Sequence, residues 1–313
     1  MSDHTAPRYL LLHAAGGLVE RAHAAAAHLS HCDLCARYCR VDRQASVAGA
    51  ACRTSVRAEV ASAGPHFGEE DPISGSRGSG TIFFAWCNMR CIYCQNWEIS
   101  WQGDGREVSA DELADLMLSL QRQGCHNINM VSPSHVVAQV LQALPIAADR
   151  GLRLPLVYNS SGFDSPEALA LLDGVIDIYM PDVKYADPDI ARKHSKVHDY
   201  ARVNRAAVKE MHRQVGDLVL DDHGVAVRGL LVRHLVLPNG LAGTAETLKF
   251  LAEDISLNTY LNIMDQYRPC YRAAAHAELA RRPTAGELSE AFETARRLGF
   301  GRLDSRAPSR LFA

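Results

Sequence analysis

An excess of charge of either sign is absent from this chain of 313 residues, which has 33 Lys and Arg against 36 Asp and Glu. Proteins that bind nucleic acid usually carry a basic excess or a basic stripe, so we expect no nucleic-acid partner. No apolar run approaches the roughly 20 residues of a membrane-spanning helix, so we expect no membrane partner. The first 12 residues lack a charged head followed by an apolar core. We therefore expect no secretory signal peptide and a cytoplasmic protein.

The cysteine content is too low for a secreted disulfide scaffold, which would be shorter and denser in cysteine. The chain has nine cysteines, of which seven lie in two tight groups and two, Cys125 and Cys270, stand alone. Grouped cysteines in such a chain indicate metal ligands, whereas the two single ones are expected to be packing thiols. A composition of 47% hydrophobic and 22% charged residues is that of an ordinary globular protein.

From residue 81 onward, short apolar segments alternate with segments of helical periodicity. The predicted strands are residues 81–86, 127–131, 154–159, 175–180, 229–237 and 260–264. The predicted helices are residues 110–123, 136–144, 166–172, 186–194, 201–215, 245–255 and 284–298, the last beginning with a Thr284/Glu287 capping box. This alternation predicts parallel βαβ units. Six strands are too few for a closed eight-stranded barrel, so the predicted fold is α/β, a partial (β/α)6 TIM-like barrel whose ligands bind beyond the carboxyl ends of the strands.

A stretch rich in Gly, Ser and Pro, residues 62–80, predicts a loop and a domain boundary. On this basis residues 1–75 form a small Cys-rich N-terminal module with a metal site, and residues 76–313 form the partial barrel. The same stretch could instead be ordered over the active site, and the sequence leaves both possibilities open.

The cysteines that carry the chemistry, Cys87, Cys91 and Cys94, come directly after the first predicted strand with the spacing C-x3-C-x2-C. Three thiolates in one loop can hold three irons of a [4Fe–4S] cube, and a fourth cysteine is the usual complement. None lies nearby in the sequence, so the fourth iron would be open to a small molecule. A tetrahedral zinc site would need a fourth ligand from elsewhere in the chain.

The second group has the spacing C-x2-C-x3-C-x12-C and consists of Cys32, Cys35, Cys39 and Cys52. Four thiolates are a complete tetrahedral set, and the arginines nearby would offset their charge. Zinc would stabilise a module too small to fold by itself. A second iron–sulfur cluster would instead offer an electron relay. The sequence leaves zinc and a cluster open as alternatives.

The three-cysteine motif at the end of a first strand resembles that of the radical S-adenosylmethionine (radical SAM) superfamily, which also has an aromatic residue before the last cysteine, here Tyr93. Within it, GSGTIFFAWCNMRCIYCQNWEIS, residues 78–100, is similar to a segment of pyruvate formate-lyase activating enzyme-like proteins with a Cys-bearing N-terminal extension. The resemblance implies a [4Fe–4S] cluster on Cys87, Cys91 and Cys94, with S-adenosylmethionine on the open iron. It also implies reductive cleavage of the S–C5′ bond to methionine and a 5′-deoxyadenosyl radical, which takes a hydrogen from a substrate.

The resemblance further implies cofactor-binding residues, with Tyr93 beside the cluster and others after the later strands. The segment MPDVKYAD, residues 180–187, resembles an Asp-x-Lys motif in which Asp182 and Lys184 face the methionyl end of S-adenosylmethionine. Lys184 would pair with its carboxylate. Asn159 matches a polar position on the ribose side, and Arg233 matches an inward-facing arginine of the fifth predicted strand.

Two segments depart from the pattern of that family. After the second predicted strand, many relatives have a Gly-Gly-Glu stretch that holds the amino group of S-adenosylmethionine, whereas this chain has Ser132-Pro133-Ser134-His135. The hydroxyls of Ser132 and Ser134, or backbone carbonyls, would then accept from the ammonium group. After the sixth strand, relatives tend to have a His, whereas this chain has Asp265-Gln266-Tyr267.

The function that this resemblance implies is a glycyl-radical-enzyme activating protein, which takes a hydrogen from a Gly backbone of a partner enzyme. Its implied partners are a reductant such as flavodoxin or ferredoxin and a protein substrate. Two alternatives stay open. One is a radical SAM enzyme that acts on a small molecule or another macromolecule, and the other is a non-enzymatic zinc-binding interaction protein whose grouped cysteines are all structural.

Overall fold

The computed structural model describes residues 6–304 and contains a mixed α/β fold built on one predominantly parallel sheet. The strands are β1 (Ala58–His66), β2 (Ser79–Phe84), β3 (Arg106–Val108), β4 (Ile128–Val131), β5 (Leu156–Ser160), β6 (Ile178–Pro181), β7 (Val219–Leu220), β8 (Ala226–Leu235) and β9 (Tyr260–Met264). All six predicted strands are present, as β2, β4, β5, β6, β8 and β9.

These six strands follow one another in the order β2-β4-β5-β6-β8-β9, and each pair of neighbours is parallel. Antiparallel strands flank them: β1 and β3 lie beyond β2, and β7 lies beside β8. Within residues 6–304, no strand pairing joins β9 to β1 or β2, so the barrel is open. The predicted partial (β/α)6 TIM-like barrel is thus confirmed.

The helices cover the outside of this sheet, as parallel connections require. They are α1 (Arg8–Ala14), α2 (Gly17–Ala27), α3 (Asp71–Ser74), α4 (Ala110–Arg122), α5 (Val137–Asp149), α6 (Pro166–Leu172), α7 (Pro188–Ser195), α8 (Tyr200–Val215), α9 (Thr244–Asp254) and α10 (Ala285–Leu298). The capping box predicted at Thr284 and Glu287 begins α10. None of the helices in the described part of the chain is long and apolar enough to cross a membrane.

The prediction of a loop over residues 62–80 is wrong for much of that segment. Strand β1 extends to His66 and pairs with β2 from Val60 to His66, and α3 begins at Asp71. Gly64 and Pro65 are poor strand residues, but they lie in the half of β1 that has β2 as its only partner, where a missing N–H donor and a small side chain are tolerated. Backbone hydrogen bonds to β2, more than side-chain packing, stabilise this end of the strand.

The first helices share the hydrophobic core of the barrel. Tyr9 and Leu18 are fully buried in the same hydrophobic core as residues of α4, α5 and the sheet. Helix α2 packs against α5. The backbone N–H of Arg8 donates to Asp177 Oδ1 at 2.7 Å, at the amino end of β6. Burial raises the pKa of this carboxyl group to about 7. The boundary at residue 75 stays a prediction, and β1 pairs with β2 across it.

Candidate functional site

A cavity of about 440 Å³ opens at the carboxyl ends of the six parallel strands. This volume is typical of a small-molecule site. Each strand, or the loop that follows it, contributes to the wall: Phe84, Cys87, Cys91 and Cys94 after β2, Ser132 after β4, Asn159 and Ser161 at β5, Asp182 and Lys184 after β6, Arg233 and Leu235 on β8, and Met264 and Gln266 at β9. Ligands of parallel α/β folds bind at this end of the sheet, as the sequence predicted.

The three cysteines Cys87, Cys91 and Cys94 form one wall of the cavity and are partly buried. Each sulfur has a hydrogen-bonding neighbour within the fold. The N–H of Met89 donates to Cys87 Sγ at 3.4 Å, and the hydroxyl of Ser195 on α7 donates to Cys91 Sγ at 3.0 Å. Ser100 Oγ lies 3.1 Å from Cys94 Sγ. These contacts orient the sulfurs toward the cavity and would stabilise negative charge on them.

The sulfurs of these three cysteines do not form the compact group that a single ion requires. No three cysteine sulfurs in the described part of the chain lie mutually within 4.8 Å. A [4Fe–4S] cube places its thiolates on separate irons, which requires a wide spacing. Burial raises the pKa of Cys91 to about 12, opposed by the nearby Lys184 ammonium. Ligation to a metal would deprotonate such a thiol outright.

An ion-pair network forms the floor of the cavity, where β5, β6 and β8 end. Lys184 Nζ lies 2.5 Å from Asp182 Oδ2, and Arg233 Nε donates to Asp182 Oδ1 at 2.8 Å. The same guanidinium donates to Asn159 Oδ1 at 2.6 Å and lies 3.3 Å from Glu69 Oε2. The network therefore brings together four residues that the sequence predicted in three separate segments, Asn159, Asp182, Lys184 and Arg233.

The charges in this network are those of ionised groups. Burial alone would raise the pKa of Asp182, but Arg233 and Lys184 more than offset it and hold that pKa below its usual range. Burial alone would lower the pKa of Lys184, and Asp182 and Cys91 reverse this effect so that it is raised. Lys184 is thus a fixed cation at the cavity wall, close to Cys91 and suited to bind a carboxylate.

The two predicted serines after β4 are placed differently. Ser132 lines the cavity in a left-handed conformation with φ of 60°, which is uncommon for a non-glycine residue and concentrated at functional sites. Its N–H donates to the Asn159 carbonyl at 2.9 Å. Ser134 is 1% exposed and is not among the residues that line the cavity. Of the two hydroxyls, only that of Ser132 is placed to contact a ligand there.

Tyr93 lines the cavity and belongs to a chain of hydrogen-bonded hydroxyls that leads to the sulfur of Cys91. Its hydroxyl lies 2.5 Å from that of Tyr185, which lies 2.7 Å from Ser195 Oγ. Ser195 in turn donates to Cys91 Sγ. The ring of Tyr93 packs edge-on against Tyr267 at 5.7 Å between centroids. Tyr93 therefore supports the position of the cysteine loop as well as facing the cavity.

Sequence reasoning missed two residues of this wall. Glu69 pairs with Arg233 and accepts from Asn129 Nδ2 at 3.1 Å. It lies in the segment predicted to be a loop. The two consecutive acidic residues, Glu69 and Glu70, are the sequence feature that could have indicated a functional role there. The buried hydroxyl of Ser161 lines the cavity and has no hydrogen-bond partner among the described residues, so it is available to a ligand.

The second predicted metal set, Cys32, Cys35, Cys39 and Cys52, also comes together. The four cysteines line one small cavity, separate from the first. Arg43, which is only 2% exposed, lies beside it, and its Nη1 is 3.7 Å from Cys32 Sγ. The same guanidinium donates to the carbonyls of Thr54, Ser55 and His135, which fixes it in place.

Two arginines join the second cysteine set to the cavity loop. Arg37, between Cys35 and Cys39, donates from Nε to the Asn88 carbonyl at 2.6 Å. Arg90 donates to the Ala51 carbonyl, next to Cys52, and to the Ser100 carbonyl at 2.7 Å. The two groups of cysteines therefore lie on loops that touch each other directly.

Comparison with known proteins agrees with the site. Residues 81–221 match the family model described as the Radical SAM superfamily. The chain is 31% identical over 240 residues to the uncharacterized protein MJ0674 of Methanocaldococcus jannaschii, a match that covers 74% of this chain and 64% of that protein.

Two solved structures are similar in part. Streptococcus suis SuiB bound to precursor peptide SuiA aligns with a TM-score of 0.46 and 9% identity, covering 67% of this chain and 43% of SuiB. TYW1 with a lysine-pyruvate adduct bound aligns with a TM-score of 0.42 and 10% identity, covering 70% and 72% of the two chains. The residues matched by the family model, 81–221, include Cys87, Cys91 and Cys94 as well as Asp182 and Lys184.

Proposed function

We propose that this protein reductively cleaves S-adenosylmethionine at a [4Fe–4S] cluster held by Cys87, Cys91 and Cys94. The observation that carries the proposal is the position of these three cysteines and the Asp182–Lys184–Arg233 network on the wall of one cavity. When bound, the cluster supplies the electron that breaks the S–C5′ bond, and S-adenosylmethionine supplies the radical that takes a hydrogen from the substrate.

The side chains around the cavity would bind and orient S-adenosylmethionine. Lys184 would pair with its carboxylate, while Asp182 holds the ammonium of Lys184 in place from 2.5 Å away. Ser132, by its hydroxyl or carbonyl, would accept from the amino group. Asn159 would contact the ribose, with its orientation fixed by Arg233. Binding at several fixed points holds the sulfonium in one geometry, which lowers the entropic part of the barrier.

The apolar part of the wall would keep water away from the reacting atoms. Met89 and Tyr93 are 2% and 5% exposed and line the cavity beside the cysteines. Met264, at the end of β9, also lines the cavity. Exclusion of water prevents side reactions of a radical.

For the substrate, we propose a Gly backbone of a partner enzyme, as in glycyl-radical-enzyme activating proteins. The support is the similarity of residues 78–100 to that group. A second cavity of about 290 Å³ shares Glu69, Arg233 and Gln266 with the first and gives a substrate a place beside the cofactor. A polar or cationic small molecule is the second candidate, favoured by Glu70, Asp265 and Asp304 in the wall of the same cavity.

The electron would come from a reductant of the flavodoxin or ferredoxin class. Arg40 and Arg53 are exposed beside the second cysteine set. Positive charge on a surface speeds the encounter with an acidic electron carrier. A salt-dependent rate of reduction would support this partner class.

The test is an anaerobic assay of the protein with dithionite and S-adenosylmethionine, in which 5′-deoxyadenosine is measured by mass spectrometry. Wild-type protein should form it, Cys87→Ala should not, and Cys270→Ala, which changes a cysteine outside both sets, should retain it. Absence of product from wild-type protein that carries its iron would overturn the proposal.

The substrate is tested separately. Anaerobic incubation with glycyl-radical enzymes of the same organism, followed by electron paramagnetic resonance, should give a glycyl-radical signal on one of them. Formation of 5′-deoxyadenosine without that signal would favour the small-molecule candidate.

A further inference from the structure

The sulfurs of Cys32, Cys35, Cys39 and Cys52 do not form the compact group that a single tetrahedral ion requires. Sulfurs bound to zinc at about 2.3 Å stand roughly 3.8 Å from one another, since they are the corners of one tetrahedron. In the described part of the chain, no three of these sulfurs lie mutually within 4.8 Å. Ligand atoms of His194, His276 and Glu278 do meet that distance, so a compact spacing occurs in this fold but not among the cysteines.

We propose that Cys32, Cys35, Cys39 and Cys52 bind a second iron–sulfur cluster, with one thiolate from each cysteine, and not zinc. The sulfurs of Cys87, Cys91 and Cys94, the other cysteine set, likewise do not lie mutually within 4.8 Å. Four cysteine thiolates are the complete ligand set of such a cluster, so this one would have no iron open to a small molecule.

Polar groups around the site suit an anionic, redox-active group. The buried guanidinium of Arg43 lies near Cys32 Sγ, and the Ala51 N–H donates to Cys39 Sγ at 3.5 Å. Hydrogen bonds and charge near the sulfurs set the reduction potential of an iron–sulfur cluster. The contacts of Arg37 and Arg90 place the second cluster next to the loop of the first.

The experiment uses full-length protein purified anaerobically from cells, without reconstitution, so that neither metal is imposed. The variant Cys87→Ala/Cys91→Ala/Cys94→Ala removes the first cluster, and iron, acid-labile sulfide and zinc are then measured. We expect the variant to keep iron and sulfide, at about half of the wild-type content, with an iron–sulfur Mössbauer spectrum. In contrast, Cys35→Ser/Cys52→Ser should lose this share, and Cys125→Ser should lose none.

Zinc without sulfide in the triple variant, or no metal at all, would overturn the proposal. If the triple variant does not fold, the Mössbauer spectrum and metal content of wild-type protein decide, because two clusters support the proposal and one cluster with one zinc contradicts it. The proposal does not depend on the proposed function. A zinc result would leave the cleavage of S-adenosylmethionine untouched, and failure of that cleavage would leave the metal content unchanged.

Discussion

Arg233 donates a hydrogen bond from Nε to the Asp182 carboxylate, 2.8 Å away, and so joins the ends of β8 and β6. The same guanidinium reaches Asn159 at the end of β5 and Glu69 before α3. One side chain thereby fixes polar groups from three other parts of the chain around the cavity. The site is held in place by the protein itself, which is a requirement for precise positioning of a cofactor.

Replacement of Arg233 should destabilise the fold. Arg233→Met leaves the carboxylates of Asp182 and Glu69 without their shared cation, and loss of one partner of a buried pair costs about 3–5 kcal/mol. We expect a loss of that size in the free energy of unfolding, measured by urea denaturation under anaerobic conditions. Arg228→Met, an exposed arginine on the same strand, is the matched control and should change stability little. Equal stability of the two variants would contradict the role of the network.

Much of this architecture could be predicted from the sequence, because local patterns determine it. The alternation of short apolar segments with helical segments located the six parallel strands. The position of Cys87, Cys91 and Cys94 after the first of them indicated the end of the sheet where a ligand would bind. Glu69 escaped prediction because its partner, Arg233, is 164 residues away. Strand β1 was not predicted because Gly64 and Pro65 have weak β propensity. Its hydrogen bonds to β2, which depend on the tertiary fold, override that propensity.

The metal at the N-terminal set could not be predicted for a different reason. The spacing of Cys32, Cys35, Cys39 and Cys52 in the sequence suits zinc and a cluster equally. Only the distances between the folded sulfurs separate the two, and these depend on how Arg43 and the neighbouring loop hold the backbone.

Lys184 should be needed to bind S-adenosylmethionine and not to hold iron. Lys184→Ala removes a charge-assisted contact worth about 1.5–3 kcal/mol, so we expect the Kd for S-adenosylmethionine to rise roughly 10- to 150-fold. Equilibrium binding is the measurement, together with the iron content, which should stay at the wild-type level. Lys249→Ala, an exposed lysine on α9, serves as the control. An unchanged Kd in Lys184→Ala would refute the contact.

Ser195 should tune the reduction potential of the first cluster. Its hydroxyl donates to Cys91 Sγ at 3.0 Å, and such a bond stabilises the more negative, reduced state. Ser195→Ala should therefore shift the potential to a more negative value, measured by a redox titration with electron paramagnetic resonance detection. Ser119→Ala, on α4 and away from the site, should leave the potential unchanged. A shift to a more positive value would contradict the direction argued here.

The N-terminal helices should be necessary for a soluble barrel. Tyr9, Leu18 and Ala25 are fully buried in the core that α5 and the sheet also form. Removal of residues 1–57, up to the start of β1, would expose the apolar face of α5, which has ten buried residues. Exposed apolar patches of this kind promote aggregation.

Size-exclusion chromatography of the truncated protein should therefore show aggregates where full-length protein elutes as a defined species. The control is Cys35→Ser/Cys52→Ser in the full chain, which loses the second metal site but keeps α1 and α2. If both proteins aggregate, the metal site accounts for the solubility. If the truncated protein alone aggregates, the packing of residues 1–57 on the barrel accounts for it, because both proteins lack the metal site. A truncated protein that stays monodisperse would show that the barrel core is complete without these helices.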